Sequence, residues 1–405
     1  MFTIFQIWLF VIVGRPQDLI RSLVPFRPAL VLTALMLLLI IFKYGGRLSA
    51  PKLLAGEGKK YLLFYIVMLM SIPLAYHRRV AFDFVVLNYV NNILFYFICV
   101  VMVDSLDRLK RVLLILTACT LFYSFFTLTQ GTMSAGRFFT YGAMFDPNDI
   151  AYVLVSLFPL SFFYLLHREG LFKKIVALFN VAASTAVILL TASRAGVLSM
   201  AATSIAVFTT GAAIKKTYKA MFLGTIAIAS IIMLASGGLN VERYQTITSI
   251  GSDYNVTDEF GRFQIWERGF TLLAANPFTG VGAYCFPNAI GYLRADVGAI
   301  PRWQAPHNSY VEVAVETGVV GIGLFLALIA SSLRTFFRCS RAKDCDAELR
   351  TIAALLIVAF AGHLFAAFFL TQGYSVFFTL FFAFSTILGG LGAPHEAVAA
   401  RPAGS

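Results

Sequence analysis

The sequence predicts an all-α polytopic membrane protein of about twelve transmembrane helices, with one large outer loop that contains an interfacial amphipathic helix. Three observations predict it. Of 405 residues, 59% are hydrophobic and only 13% charged, about half the ~25% charge of a soluble domain. Mean hydropathy is +0.80, and 40 residues are Phe. Apolar runs recur between charged or Gly/Pro punctuation, at lengths approaching the ~20 residues a helix needs to cross hydrocarbon. These features exclude a water-soluble globule, a disordered chain and a disulfide scaffold. The five cysteines (Cys99, Cys119, Cys285, Cys339 and Cys345) have no metal-site spacing, so no metal is expected.

The runs fall near 2–14, 28–42, 61–76, 83–103, 112–129, 150–166, 175–192, 195–213, 220–236, 309–333, 351–371 and 375–392. The first is short and ends abruptly at Pro16, within the cluster from Arg15 to Asp18. It lacks a basic leader and a small-residue cleavage site, so it is expected to be a retained helix. Only Ser193 and Arg194 separate 175–192 from 195–213. The expected organisation is nine spans in 1–236, a large outer loop over 237–308, three spans in 309–392 and a cytoplasmic tail over 393–405.

Charge gives the orientation. With twelve spans the connections alternate, and one set carries 20 lysines and arginines against 12 in the other. Cytoplasmic loops attract the excess, which puts both termini inside. The net charge of +12 then describes sidedness rather than affinity for nucleic acid. All 11 lysines fall inside and all 12 outer cations are arginine. Either inner lysines meet anionic lipid while outer arginines pair with carboxylates, or the outer face handles phosphate or pyrophosphate, whose oxygens the guanidinium fork matches two at a time.

The connection over 237–308 is far longer than any other, and loops of that length are usually functional. From Glu259 to Ala275 it spaces Phe260, Phe263, Trp266, Phe270 and Leu273 at helical intervals, which predicts an amphipathic helix at the outer interface. Its end carries Pro306-His307-Asn308-Ser309, followed by Glu312, Glu316, Gly318 and Gly321. Gly318 and Gly321 would lie on one face and let helices approach closely. Asn308 suits a helix cap and His307 either a solvated loop position or a group that moves a proton near neutrality.

Other polar residues divide similarly. Arg194, at a break between spans, either snorkels or binds an anion, and Arg262 either pairs with Asp258 or Glu259 or does the same. Arg268 and Arg137 are further outer cations. Asp146, Asn148 and Asp149 make a good turn and cap, or else a polar wall for sugar. Asn88, Asn91 and Asn92 are expected to bond between helices, and His363 to be a satisfied interior histidine.

His307-Asn308, nine residues, then Gly318-x-x-Gly321 resembles the signature of the O-antigen ligase family. Ser193-Arg194-Ala195-Gly196 resembles its Ser-Arg-(Gly/Ala) element. Gly261-Arg262-Phe263-Gln264-Ile265-Trp266 and Pro277-Phe278-Thr279-Gly280-Val281-Gly282 resemble its Arg-x-x-x-Trp and Pro-x-x-Gly-x-Gly elements. The resemblance covers roughly 180–330. It implies a GT-C-like glycosyltransferase of the bacterial inner membrane, metal-independent and without a cofactor, whose site faces the periplasm. It implies an undecaprenyl-pyrophosphate-linked glycan as donor and lipid A-core or another glycan as acceptor. His307 matches the proposed base, and Arg194 and Arg262 the arginines proposed to grip pyrophosphate. Asn308, Arg268, Arg137, Asp146, Asn148 and Asp149 are, from the residues themselves, further candidates for substrate contact. A polymerase or a protein-glycosylating enzyme shares the donor chemistry. The opening Gly14-Arg15-Pro16-Gln17-Asp18 is less typical of lipopolysaccharide ligases and leaves the acceptor open. A secondary transporter is the alternative outside enzymes, although such proteins usually carry ionisable groups at mid-membrane.

Overall fold

A computed structural model describes residues 1–45, 53–134, 136–139, 146–167, 169–237, 240–245, 261–296, 298 and 300–392. Each of the twelve apolar runs is carried on a helix. In chain order these are α1 (Phe2–Gly14), α2 (Pro28–Tyr44), α3 (Gly58–Ser71), α4 (Arg78–Met102), α5 (Leu106–Gln130), α6 (Pro147–Leu166), α7 (Leu171–Leu190), α8 (Arg194–Thr209) and α9 (Lys216–Ala235). Two loop helices follow, α10 (Arg262–Ala275) and α11 (Phe286–Asp296), and then α12 (Ser309–Arg341), α13 (Ala347–Ala367) and α14 (Val376–Leu391). The strands among the described residues are a hairpin of β1 (Thr132–Ser134) and β2 (Arg137–Phe139), paired antiparallel with Thr132 opposite Phe139.

Eight of the helices are long and apolar enough to cross a membrane, so the chain is an all-α polytopic membrane protein. The other four have 13, 14, 16 and 16 residues in α1, α3, α8 and α14. Backbone chemistry shortens three of them. Arg15 adopts a left-handed conformation after α1, Pro73 lies within a 3-10 turn after α3, and a break at 191–193 separates α7 from α8.

Burial separates the centre from the lipid-facing rim. In α6 and α13 nearly every apolar residue is buried, whereas α2 and α9 expose Leu38, Phe42, Ile228, Ile231 and Ile232. An apolar surface of this kind is stable against lipid tails and not against water. The α6–α13 contact encloses His363, which is fully buried, meets Ser156 Oγ at 2.9 Å and lies 3.4 Å from the Tyr152 hydroxyl. It is the satisfied interior histidine expected from sequence.

The asparagines of α4 behave differently from the expectation. Asn88 donates to the Asp83 carbonyl (2.9 Å) and Asn91 to Leu87 and Asn88 (3.2 and 3.0 Å), all within the same helix. Only Asn92 reaches outside it, to the Tyr374 carbonyl at 2.7 Å. The reason is local: Asp83–Tyr89 is wound as a π-helix, which widens the turn and frees carbonyls for nearby amides.

Candidate active site

The start of α12 is organised by Asn308. Its Oδ1 accepts from the Tyr310 and Val311 amides at 2.9 and 3.1 Å, satisfying two of the helix's orphan donors. Asn308 is 2% exposed, so this residue, expected to contact substrate, is occupied in holding the turn. The residue before it, His307, lies in the left-handed region with φ 48°. That conformation costs on the order of 1–2 kcal/mol for a residue with a Cβ, although histidine is among the side chains found there more often. The turn is fixed from two sides. The His307 amide donates to Thr371 Oγ1 at 3.0 Å, and the Trp266 indole of α10 donates to the Pro306 carbonyl at 2.7 Å. Trp266 also packs edge-on against Phe368, with ring centroids 5.7 Å apart.

The His307 side chain is solvent-accessible yet lies in a recess. Surrounding protein, and after it the Arg262 charge, lower its pKa from the ordinary 6.5, with Asp146 opposing. The imidazole is therefore neutral at neutral pH and able to take a proton. Arg262, first residue of α10, also lies over the Phe369 ring, 5.9 Å from its centroid. Asp258 and Glu259, the carboxylates considered as its partners, lie outside the described residues, as does the Glu259–Phe260 start expected for the helix.

A second charged group surrounds the break between α7 and α8. Ala192 turns the chain with φ 47°, which leaves the last carbonyls of α7 without helical partners. Side chains satisfy them: the Tyr244 hydroxyl donates to Leu189 O at 2.6 Å, Arg137 Nε to Thr191 O at 3.2 Å and Arg243 Nε to Ala192 O at 2.9 Å. Ser193 caps α8 by accepting from the Gly196 amide at 3.1 Å. Arg194 is the first residue of α8, beside the positive end of its dipole.

These groups are electrostatically joined. Burial, and after it Arg243, lower the pKa of Arg137, Arg194 acts in the same sense more weakly, and Asp146 and Tyr244 oppose. The guanidinium nonetheless keeps its charge. Three arginines and a helix N-terminus thus gather positive charge at one break. Asp146 links the two halves, since its charge acts on both His307 and Arg137.

The Asp146–Asp149 segment is both cap and wall. Asp146 accepts from the Asn148 amide at 2.9 Å and begins α6. Asn148 Oδ1 accepts from Arg137 Nη2 at 3.0 Å and from Ser193 Oγ at 2.9 Å. Asp149 Oδ1 accepts from Gln372 Nε2 at 2.9 Å. Arg268, by contrast, lies six residues beyond Arg262 on another face of α10. One of its buried guanidinium nitrogens has no hydrogen bond among the described residues, and it is absent from the charges that act on His307. Sequence reasoning passed over Arg243, Tyr244, Thr371 and Gln372.

Gly318 does not pack helices together as expected; it breaks one. Its φ of 67° and ψ of −172° lie outside helical space, inside α12. The opened turn is filled by the Pro277–Gly282 loop, whose Val281 and Gly282 amides donate to the carbonyls of Val315 and Glu316 at 2.9 and 3.1 Å. Val319 N–H returns a bond to Pro277 O at 2.7 Å. Irregular backbone within a membrane protein is tolerated where protein satisfies it in this way. The buried Glu316 carboxylate accepts from the Tyr284 and Phe286 amides at 2.6 and 2.9 Å, and Glu312 from the Gly373 amide at 2.9 Å. These two acids fasten the outer loop and the 370–374 turn to α12, below His307.

Gly318→Ala is expected to destabilise the protein. The backbone region is essentially reserved for glycine, with strain of about 1–3 kcal/mol, and a Cβ would overlap the backbone of Phe278. A wild-type denaturation midpoint for the detergent-purified variant would contradict this account.

Residues 178–326 match a family model described as O-Antigen ligase. Over this region the chain is similar to the O-antigen ligase family. The family region runs from α7 to the upper part of α12 and includes Arg194, Arg243, Arg262, His307 and the Gly318 break. A curated relative is the exopolysaccharide production protein ExoQ of Rhizobium meliloti (strain 1021), 25% identical over 141 residues. That match covers 32% of this chain and 30% of the relative, so the chain spans under a third of the length of that protein. Arg137, the Asp146–Asp149 segment and Thr371 lie outside the O-antigen ligase region yet complete its surroundings.

Proposed function

We propose that the protein transfers a glycan from undecaprenyl pyrophosphate to an acceptor hydroxyl, at the periplasmic face of the bacterial inner membrane, as an O-antigen ligase acting on lipid A-core. The observation that supports this most directly is the pairing of a neutral histidine with an arginine-rich helix break, with Asp146 in electrostatic contact with both. The acceptor oxygen bonds to the anomeric carbon while its proton passes to the His307 imidazole. The carbon–oxygen bond to the diphosphate breaks, and its electron pair leaves with the diphosphate. Arg194, Arg137, Arg243 and Arg262 stabilise that departing charge in a site where cations count for more than in water. The base and the clamp must face opposite sides of the anomeric carbon, so the product is inverted.

The similarity to an exopolysaccharide production protein favours a second reading, in which the acceptor is another repeat unit of a polysaccharide. Deleting the gene separates the two. A ligase leaves long chains on the undecaprenyl carrier, and a polymerase leaves single repeat units. Normal glycolipids and normal surface polysaccharide in the deletion strain would overturn both.

A further inference from the structure

A cavity of about 240 Å³ reaches the 370–374 turn and is lined in part by Arg15, Asn88, Asn92 and Gln372. Gln372 follows Thr371, the residue that holds the His307 amide. We infer that this cavity is the subsite for one sugar ring of the acceptor glycan. The inference rests on the glycosyl-transfer reading above and adds to it where the acceptor sits and what it is made of.

Three features converge on this place. The π-helical stretch Asp83–Tyr89 turns Phe84, Asn88 and Tyr89 toward the cavity, and such stretches occur frequently at functional sites. Arg15, in a left-handed conformation with φ 49°, is held from its Nε side by Asp18 at 2.6 Å. No hydrogen bond engages its two Nη groups among the described residues. The three amides each spend one N–H on the protein: Asn88 on Asp83 O (2.9 Å), Asn92 on Tyr374 O (2.7 Å) and Gln372 on Asp149 (2.9 Å). Their amide oxygens have no hydrogen-bond partner among the described residues.

This lining selects the ligand by chemistry. A lipid tail would leave the amide oxygens and the guanidinium unpaired. A free inorganic anion would meet Arg15 but bring no donor for the three amide oxygens, which only accept. A sugar ring meets both demands, since its hydroxyls can donate to the amide oxygens and accept from Arg15. Phe84 is itself stacked on Tyr284, with centroids 4.4 Å apart and planes 8° apart, which fixes that wall. The volume is below the ~300 Å³ lower bound of drug-sized sites, room for a ring rather than a chain.

We assign the cavity to the acceptor and not the donor because its lining includes Gln372, next to the Thr371 that holds the His307 turn, and none of the arginines at the α7–α8 break. An acceptor ring seated there presents a hydroxyl to His307. Its proton goes to the imidazole as its oxygen bonds to the anomeric carbon and the diphosphate departs. Every cavity residue named here lies outside 178–326, so acceptor choice is built from the part of the chain outside the family region.

The test uses membranes from cells that make the lipid-linked glycan, with core oligosaccharides released from lipid A-core by mild acid as added acceptor. Asn88→Leu, at an exposed position, and Arg15→Gln are each expected to raise the concentration for half-maximal transfer about tenfold, the scale of one lost hydrogen bond. The maximal rate should change far less. Unaltered concentration dependence in both variants overturns the subsite, as does a wild-type protein that transfers nothing onto these oligosaccharides while remaining active on its endogenous acceptor. His307→Ala is the separate control: undiminished transfer in that variant removes the underlying reading instead.

Discussion

His307→Ala is expected to lower glycan transfer by about 10²–10⁴-fold, the range for loss of a positioned general base, with little change in protein abundance. The side chain is solvent-accessible, and the bond that anchors the turn comes from the backbone amide to Thr371. Alanine tolerates the left-handed backbone less well than histidine. His307→Asn is therefore the better-folded control, since asparagine accepts that conformation and is not a base. Both variants should be inactive, and full activity in His307→Asn would rule out the base. The pH profile supplies an independent readout. Burial and Arg262 lower the His307 pKa, so the imidazole stays neutral down to a pH below 6.5 and transfer should fall only beneath that. Arg262→Gln removes a lowering charge and should move the acid limb to higher pH. Asp146→Asn removes the opposing charge and should move it lower. Limbs that do not move, or that move the other way, would contradict the assignment.

The second large effect is expected at Arg194. Removing one preorganised donor from a developing anion typically costs about 10²–10³ in turnover, and Arg194→Ala should fall in that range. Arg194→Lys should recover only part of it, because an ammonium restores charge and not the bidentate fork. Arg194 is a cleaner probe than Arg137 or Arg243, whose side chains also satisfy the carbonyls of Thr191 and Ala192. Replacing either of those disturbs the break itself. The measurement is single-turnover transfer by membranes of equal protein content, and rates unchanged in Arg194→Ala would assign this side chain to the lipid headgroups instead.

Much of the architecture was legible in the sequence because hydrocarbon imposes a simple rule. A run that must hide its backbone polar groups becomes a helix, and each of the twelve apolar runs did. The cap at Asn308, the break at Ser193–Arg194 and the helix around Trp266 were also legible, since each depends on neighbours within a few residues. What escaped depends on distant partners. Gly318 reads as a packing glycine until the Pro277–Gly282 loop, some forty residues earlier, supplies the amides that its broken turn needs. Arg243 looked like one of twelve scattered outer arginines, because its partner is the Ala192 carbonyl. The π-helical stretch left no periodic signal, as one irregular turn in an apolar helix leaves the hydropathy unchanged.

One of the four short helices carries a consequence for how a lipid-borne substrate would arrive. At about 1.5 Å per residue, the 16 residues of α8 extend roughly 24 Å, some 6 Å less than the ~30 Å thickness of bilayer hydrocarbon. On the proposed function, a helix that begins with Arg194 and falls short of that thickness would leave room for headgroups at one end of the slab. A prenyl carrier would then glide sideways into register with the guanidinium groups, its tail never leaving its own leaflet.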